Sequence, residues 1–299
     1  MPCIIKIPIR THEEFGYSIA KLIALVNQIR TCNLTDIEFD FTQARMINPF
    51  FLGGLACIIS SLEKEGKVCT INYGNGGSIK SYLNTICFPN GFSLNLEDVR
   101  GSLSTLENYK YRTYIPIVRF KTGTLQSEKI LSTISDLLRF QLGFTQTELQ
   151  PFSYFIGELT ANIYEHSNAS EGYVFAQYYP KTNYVDFCIC DAGQGIYNSF
   201  LGTFTPESEA HALQLAMSGN STKGGDSRGF GLTTTRDMLV RGLRGKLFIW
   251  SGSASFVQST ENEGIMSMDK TKSFPGTFIA LRLPTIIPGS FNFYNFIEG

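Results

Sequence analysis

Hydrophobic and polar residues in the first ninety positions follow two different periods. Short apolar or strictly alternating runs predict strands, whereas longer segments with apolar side chains three or four residues apart predict helices. Strands are predicted at 4–9, 37–41 and 68–72, and helices at 13–30 and 50–64. This alternation of strand and helix favours a small α/β layered domain over residues 1–95.

The rest of the chain shows the same kind of patterning over longer segments. A strand at 114–120 and an amphipathic helix at 125–140 come first, and Thr145 to Glu148 has the pattern of a capping box that opens another helix. The predicted divisions are a polar connector at 96–113, a larger domain at 114–285 and an aromatic tail at 286–299. For the tail, packing on the surface and interaction with a partner are both open.

Composition narrows the classes of function. The net charge of −1 gives no reason to expect a nucleic acid or a membrane as partner. No apolar run reaches the ~18 residues needed to span a bilayer, and the N-terminal residues are typical of a strand rather than a signal peptide. The seven cysteines, Cys3 and Cys32 among them, favour structural thiols over a disulfide framework, which predicts a reducing, cytoplasmic location.

A row of polar residues follows one face of the helix predicted after Thr145. Glu158 and Asn162 lie four residues apart, and either Glu165 or His166 extends the row. An amide oxygen beside a carboxylate suits Mg²⁺, which prefers oxygen ligands, and Glu158 can accept a proton from an attacking water or hydroxyl. A solvated polar face is the alternative interpretation.

Asp191 ends a predicted strand and is followed by two glycines. Gly193 and Gly195 permit positive φ and leave room for a flat ring against the backbone. A dinucleotide-binding fingerprint would need a third glycine where the chain has Asn198. The sequence also contains no Gly-x4-Gly-Lys-Ser/Thr phosphate loop, so both common alternatives are excluded.

A polar, glycine-rich loop at 218–227 precedes a helix predicted at about 233–241. A glycine-rich turn that opens a helix presents free N–H groups to phosphate, and cationic side chains strengthen such contacts. The residues concerned are Lys223, Arg228, Gly229, Gly231 and Leu232. A surface loop without function is the alternative. A final strand is predicted at 274–283 and contains Thr277.

In order and spacing these segments resemble the N, G1 and G2 boxes of the GHKL ATP-binding fold, over about residues 115–285. Gyrase, MutL, histidine kinases and anti-sigma serine kinases share that fold. The resemblance implies an α/β sandwich with a mixed sheet, a flexible ATP lid, and the cofactors ATP and Mg²⁺. It also implies individual roles: Asn162 as the Mg²⁺ ligand, Glu158 as the catalytic base, His166 near the phosphates, Asp191 as acceptor for the adenine amino group, and Thr277 bound to adenine through water.

The first ninety residues resemble the STAS domain of anti-sigma-factor antagonists. The resemblance rests on the strand at 37–41, on residues 45–48, and on the helix that contains Gly53 and Gly54. STAS phosphoswitches carry a serine at the start of this helix, after an aspartate, whereas residues 47–51 of this chain contain no hydroxyl. Asn48 is predicted to cap the helix that Pro49 begins. A docking or scaffold role is therefore expected for this domain.

Two functions follow from the resemblances. The first is an ATP-dependent protein kinase or ATPase of the anti-sigma kind, and the second is a non-catalytic switch that ATP binding controls. A sensor histidine kinase is disfavoured because the helix at 125–140 has no acceptor histidine. Gyrase-like and MutL-like ATPases are disfavoured because only a short tail follows residue 285. A regulatory protein partner is expected, and a homodimer is left open.

Overall fold

The computed structural model describes residues 1–10, 14–75, 77–95, 97–122, 125–220 and 231–297. The helices in these ranges are α1 Phe15–Thr31, α2 Pro49–Lys64, α3 Gly77–Thr85, α4 Val99–Glu107, α5 Leu125–Leu142, α6 Gln146–His166, α7 Gly195–Phe200, α8 Glu209–Met217, α9 Gly231–Asp237 and α10 Tyr294–Ile297. The strands are β1 Cys3–Lys6, β2 Asp36–Asp40, β3 Val68–Asn72, β4 Val118–Lys121, β5 Glu171–Tyr179, β6 Tyr184–Asp191, β7 Lys246–Gly252, β8 Ala254–Gln258, β9 Glu263–Ser267 and β10 Phe274–Pro284.

The first three strands form a parallel sheet in the order β1-β2-β3. Parallel neighbours need crossover connections, and α1 and α2 supply them. The predicted alternation of strand and helix in this half is confirmed. The assignment to the STAS family stays a prediction.

Helix α2 is apolar on all sides because it is covered on all sides. It packs against α1 and β3 and also against β5, β6 and β10. Two glycines allow the close approach: a Cβ atom on Gly53 would overlap the sulfur of Cys188, and one on Gly54 would overlap Leu22. The predicted cap is confirmed, since the side chain of Asn48 accepts a hydrogen bond from the Phe50 N–H at 2.8 Å.

The other seven strands form a sheet in the order β4-β5-β6-β10-β7-β8-β9. Every pairing between these strands is antiparallel, so the expected mixed sheet is corrected to an antiparallel one. The chain as a whole contains helices, a parallel sheet and an antiparallel sheet, and is therefore an α/β protein. The strand predicted at 114–120 begins later, at Val118.

The larger sheet separates two hydrophobic clusters. Side chains on one face, such as Cys188 and Cys190 of β6, pack with α1 and α2. Side chains on the other face, such as Phe187 and Ile189, pack with α5 and α6. Because neighbouring residues of a strand point to opposite faces, one strand joins both layers. The layers therefore follow in the order small sheet, helices α1 and α2, large sheet, helices α5 and α6.

The predicted connector contains regular structure. Helix α4 begins after Asp98, whose carboxylate accepts a hydrogen bond from the Gly101 N–H at 2.9 Å. Leu106 near its other end is completely buried. The sequence did not predict this helix because Leu106 is its one buried residue, so no periodic apolar pattern marks it.

The expectation of thiols is wrong for two of the seven cysteines. Cys3 of β1 and Cys32, which caps the C-terminus of α1, form a disulfide. The connection from β1 through α1 brings the two residues together, with 6.6 Å between their Cα atoms. The other five cysteines are free. Throughout the described ranges, no helix is both long enough and apolar enough to cross a membrane; the cytoplasmic location stays a prediction.

Candidate functional site

A cleft lies where α6, the start of α9, and the ends of β6 and β10 meet. It is partly open to solvent, and its empty space, open solvent included, is about 1000 Å³. The cleft brings together residues from all the segments with predicted chemistry: Glu158, Asn162, His166, Asp191, Gly195, Gly231, Leu232 and Thr277.

Of the four other predicted residues, only Gly193 is among those that the structure describes. Gly193 lies beside the cleft and donates its N–H to Asp191. Lys223, Arg228 and Gly229 fall outside the described residues, as does most of the predicted lid at 218–227.

Asp191, the last residue of β6, lines the cleft. It is 2% exposed and lies between Gly172 of β5 and Thr277 of β10 in the sheet. Its Oδ1 atom accepts a hydrogen bond from the Gly193 N–H at 2.8 Å. Burial raises the pKa of this carboxyl group to about 7, although the N–H groups of Gly193 and Thr277 oppose the shift. A buried acceptor that faces a cleft is suited to recognising a hydrogen-bond donor on a ligand.

The backbone around Asp191 is packed too closely for side chains. A Cβ atom on Gly193 would overlap the carbonyl oxygen of Ser167, and one on Gly276 would overlap that of Asp191. Gly195 has a φ of +73°, a conformation that glycine adopts at little cost. The glycines therefore let the end of α6 and β10 approach the Asp191 loop, which is a packing role as well as a conformational one.

A second set of polar contacts fixes this loop. Gln194 donates its backbone N–H to the Ser167 carbonyl at 2.7 Å and its side-chain amide to the His166 carbonyl at 2.6 Å. Ser251 of β7 accepts from the Ile196 N–H at 2.8 Å and lies 3.2 Å from the Thr277 hydroxyl. Sequence reasoning missed Gln194 and Ser251, because no pattern shows which polar residues of distant segments meet.

Helix α6 supplies the long wall of the cleft. The predicted capping box at its start is confirmed, and the helix runs unbroken from there to His166. Glu158, Asn162, Glu165 and His166 all line the cleft, so both residues considered for the end of the polar row belong to it. Burial, with a smaller effect from Glu165, raises the pKa of Glu158.

The start of α9 lies directly against Glu158. A Cβ atom on Gly231 would overlap the Glu158 carboxylate, so a larger residue there would require the Glu158 side chain to shift. Helix α9 continues into a π-helical turn at Met238–Gly242, which together match the helix predicted at about 233–241. Glu158 of α6 therefore lies against the start of α9.

The oxygen atoms in the cleft fit Mg²⁺ better than a metal held by protein alone. Within the described part of the chain, no three His, Cys, Asp or Glu side chains are grouped as a metal site. Mg²⁺ usually takes one or two protein oxygens and completes its shell with water and substrate phosphate. The Asn162 amide, with the carboxylates of Glu158 and Glu165 along the same wall, offers such a partial set.

Comparison of the chain with protein-family models, with curated proteins and with solved structures found no match. The chemistry of the cleft must therefore be argued from its own residues. One end is a buried carboxyl group among close-packed backbone, and the other has carboxylates, an amide and a glycine turn. The two ends suit a ligand with a flat donor group at one end and metal-bound anionic groups at the other.

Proposed function

We propose that this cleft binds ATP together with Mg²⁺, as the resemblance to the GHKL fold implies. The observation that carries the proposal is the convergence of α6, β6, α9 and β10 on a single cleft. Helix α6 contains Glu158 and Asn162, β6 ends at Asp191, α9 begins at Gly231, and β10 contains Thr277. Each of these residues was predicted from a separate segment of the sequence. An ATP site requires that the four segments meet in space, which the sequence patterns alone do not ensure.

The two ends of the cleft have different roles in this proposal. Asp191 and Thr277 receive adenine, since the buried carboxylate accepts a hydrogen bond from the adenine amino group. The α6 wall and the Gly231 turn receive the phosphates, with Asn162 as a ligand of Mg²⁺ and His166 nearby. Bound Mg²⁺ would neutralise phosphate charge and orient the terminal phosphate.

For the reaction we propose a protein kinase or ATPase of the anti-sigma kind, with a regulatory protein as partner. Glu158 supports catalysis because burial and Glu165 raise its pKa, and a base with a pKa nearer neutrality transfers protons more effectively. Its position beside Gly231 supports a role at the proposed phosphate end.

One observation favours the alternative, a switch without turnover. Residues 47–51 lie at the helix start where STAS phosphoswitches carry their serine, and none of them has a hydroxyl. Asn48 among them is only 4% exposed. Its side-chain amide donates to Asp186 of β6 at 2.9 Å. The N-terminal unit therefore offers no phosphoacceptor at that position, and a kinase would need its substrate from another protein.

Asp191→Asn tests the adenine site. We expect ATP affinity to fall about 5- to 150-fold, since a buried acceptor aimed at the adenine amino group is worth about 1–3 kcal/mol. Isothermal titration calorimetry with ATP and with GTP measures the loss and the base preference. Equal ATP affinity in the variant and the wild type would remove Asp191 from the site.

The same variant has a second signature that excludes simple unfolding. The folded-state pKa of about 7 lies above the ordinary value of 3.8, so the folded protein keeps a proton that the unfolded chain loses. This group therefore lowers the stability of the wild type as pH rises from about 4 to about 7. Relative to wild type, Asp191→Asn should gain stability over that window, whereas Asp136→Asn, with a 67% exposed side chain, should not.

Asn162→Ala tests the metal site. We expect the variant to fold and to lose the Mg²⁺-dependent part of its ATP affinity, because the amide oxygen is the neutral ligand of the proposed set. ATP titrations with Mg²⁺ and with EDTA give that part directly. If the variant keeps the same Mg²⁺ dependence, the metal is held elsewhere.

A further inference from the structure

A row of polar side chains crosses three neighbouring strands of the large sheet. Asp191 of β6 pairs with Thr277 of β10, and Thr277 pairs in turn with Ser251 of β7. Side chains of directly paired residues lie on the same face of a sheet, and here that is the face of the cleft, which Asp191 and Thr277 line. Ser251 is 3% exposed. The row therefore ends in a buried hydroxyl next to Thr277.

The hydroxyl of Ser251 has three hydrogen-bond partners from two separate turns. It accepts from the Ile196 N–H at 2.8 Å, donates to the Gly276 carbonyl at 3.0 Å, and lies 3.2 Å from the Thr277 hydroxyl. The Ile196 N–H is one of the free donors at the start of α7, since Gln194 before this helix makes no side-chain cap. The Gly276 carbonyl belongs to the irregular part of the ladder between β7 and β10. Ser251 thus satisfies backbone groups that their own elements leave open.

These contacts determine the direction of each hydroxyl proton. A serine hydroxyl has one proton and two lone pairs. The Gly276 carbonyl can only accept, so it takes the Ser251 proton, and the Ile196 N–H can only donate, so it takes one lone pair. The second lone pair is left for the Thr277 hydroxyl, which must then donate. With its proton engaged in this way, the Thr277 hydroxyl has only lone pairs left for a ligand.

We propose that Ser251 is a positioning residue that makes Thr277 a hydrogen-bond acceptor towards the cleft. In terms of the proposed function, on which this specificity rests, Thr277 then matches Asp191, whose ionised carboxylate also only accepts. Two acceptors in one row favour the amino group of adenine, which donates, over the oxo group of guanine or hypoxanthine, which accepts. Ser251 thus adds to the preference for ATP without touching the nucleotide.

Ser251→Ala is the direct test because it frees the Thr277 proton to turn towards a ligand. The ratio of ATP affinity to inosine triphosphate affinity should fall about three- to tenfold, the effect of one hydrogen bond, since inosine carries an oxo group in place of the amino group. Calorimetry at a pH well above the Asp191 pKa of about 7 measures both affinities with that carboxylate ionised.

Ser255→Ala on β8 is the matched control. Ser255 is also 3% exposed, but it pairs with Trp250, and neighbouring residues of a strand point to opposite faces. Its side chain therefore lies on the other face of the sheet from Ser251, and the ratio should keep its wild-type value.

Thr277→Val tests the same hydrogen bond from its other partner. The side chain keeps its shape and loses the hydroxyl, so the affinity ratio should fall by a similar factor. In the Thr277→Val background, Ser251→Ala should leave the ratio unchanged, because no hydroxyl proton remains to be redirected. The proposal is overturned if Thr277→Val keeps the wild-type ratio, if Ser251→Ala has its full effect in both backgrounds, or if the wild type binds both nucleotides equally.

Amide exchange without nucleotide separates this proposal from the proposed function. The Ile196 N–H loses its acceptor in Ser251→Ala, so its exchange should be about three- to tenfold faster, whereas Ser255→Ala should leave it unchanged. Unchanged exchange of this amide in Ser251→Ala would overturn the positioning role. Faster exchange in a protein that binds neither nucleotide would leave the hydrogen bonds of Ser251 in place and refute the proposed nucleotide function, together with the specificity that rests on it.

Discussion

Asp186→Ala should destabilise the protein by about 3–5 kcal/mol, the usual effect of removing one partner from a buried ion pair. Asp186 is fully buried, and Arg282 donates to both of its oxygens at 2.6 and 2.7 Å. Asn48 donates to the same carboxylate. The substitution would leave a guanidinium with a 12% exposed side chain and no carboxylate partner, and urea denaturation measures the loss.

A surface pair provides the matched control. Asp136 and Arg139 lie 3.9 Å apart with side chains 67% and 45% exposed, and exposed pairs contribute about 0–1 kcal/mol. Asp136→Ala should therefore change stability by less than about 1 kcal/mol. Adding Arg282→Met to Asp186→Ala should recover part of the loss by removing the stranded charge. If Asp186→Ala costs no more than Asp136→Ala, the buried network does not hold the N-terminal unit to the sheet.

This network also marks a limit of sequence reasoning. The pattern around Asn48 predicted a helix cap, and the structure confirms it. The second role of the same side chain, the hydrogen bond to Asp186, joins residues 138 positions apart. Local preferences determine a cap, but no local pattern indicates which distant strand will present a carboxylate.

Helix α2 and the cleft show which structural features the spacing of apolar and polar residues predicts and which it does not. An apolar helix without a polar face is typical of a buried helix, but its sequence does not indicate the two sheets that cover it. The polar row of α6 and the strand that ends in Asp191 were predictable because both obey simple spacing rules. The disulfide of Cys3 with Cys32 and the contribution of Ser251 were not, since each depends on how separate elements dock.

Strand β6 connects the two halves of the molecule physically. Asp186, Cys188 and Cys190 face the N-terminal unit, where the last two sulfurs donate to the carbonyls of Pro49 and Gly53. Ile189 and Asp191 line the cleft on the opposite face. The N-terminal unit thus supports the strand that carries the proposed adenine acceptor, which is consistent with a scaffold role for that unit.

Glu158→Gln is the substitution that separates the two proposed functions. The side chain keeps its shape against Gly231, so ATP binding should be retained. Loss of the carboxylate should reduce hydrolysis or phosphotransfer by about 10²–10⁴-fold, the usual contribution of a general base. Incubation with labelled ATP and Mg²⁺, with and without candidate protein substrates, follows both free phosphate and protein-bound label.

Glu165→Gln is the informative control because it lies on the same wall of the cleft. Burial first, and Glu165 second, raise the pKa of Glu158 above its ordinary 4.5, and only the ionised carboxylate can act as a base. Turnover should therefore rise with pH through that raised pKa, and Glu165→Gln should move the rise to lower pH without abolishing turnover. Wild-type protein that binds ATP but never turns it over would establish the switch. A Glu158→Gln variant as active as wild type would leave Glu158 with only its packing role beside Gly231.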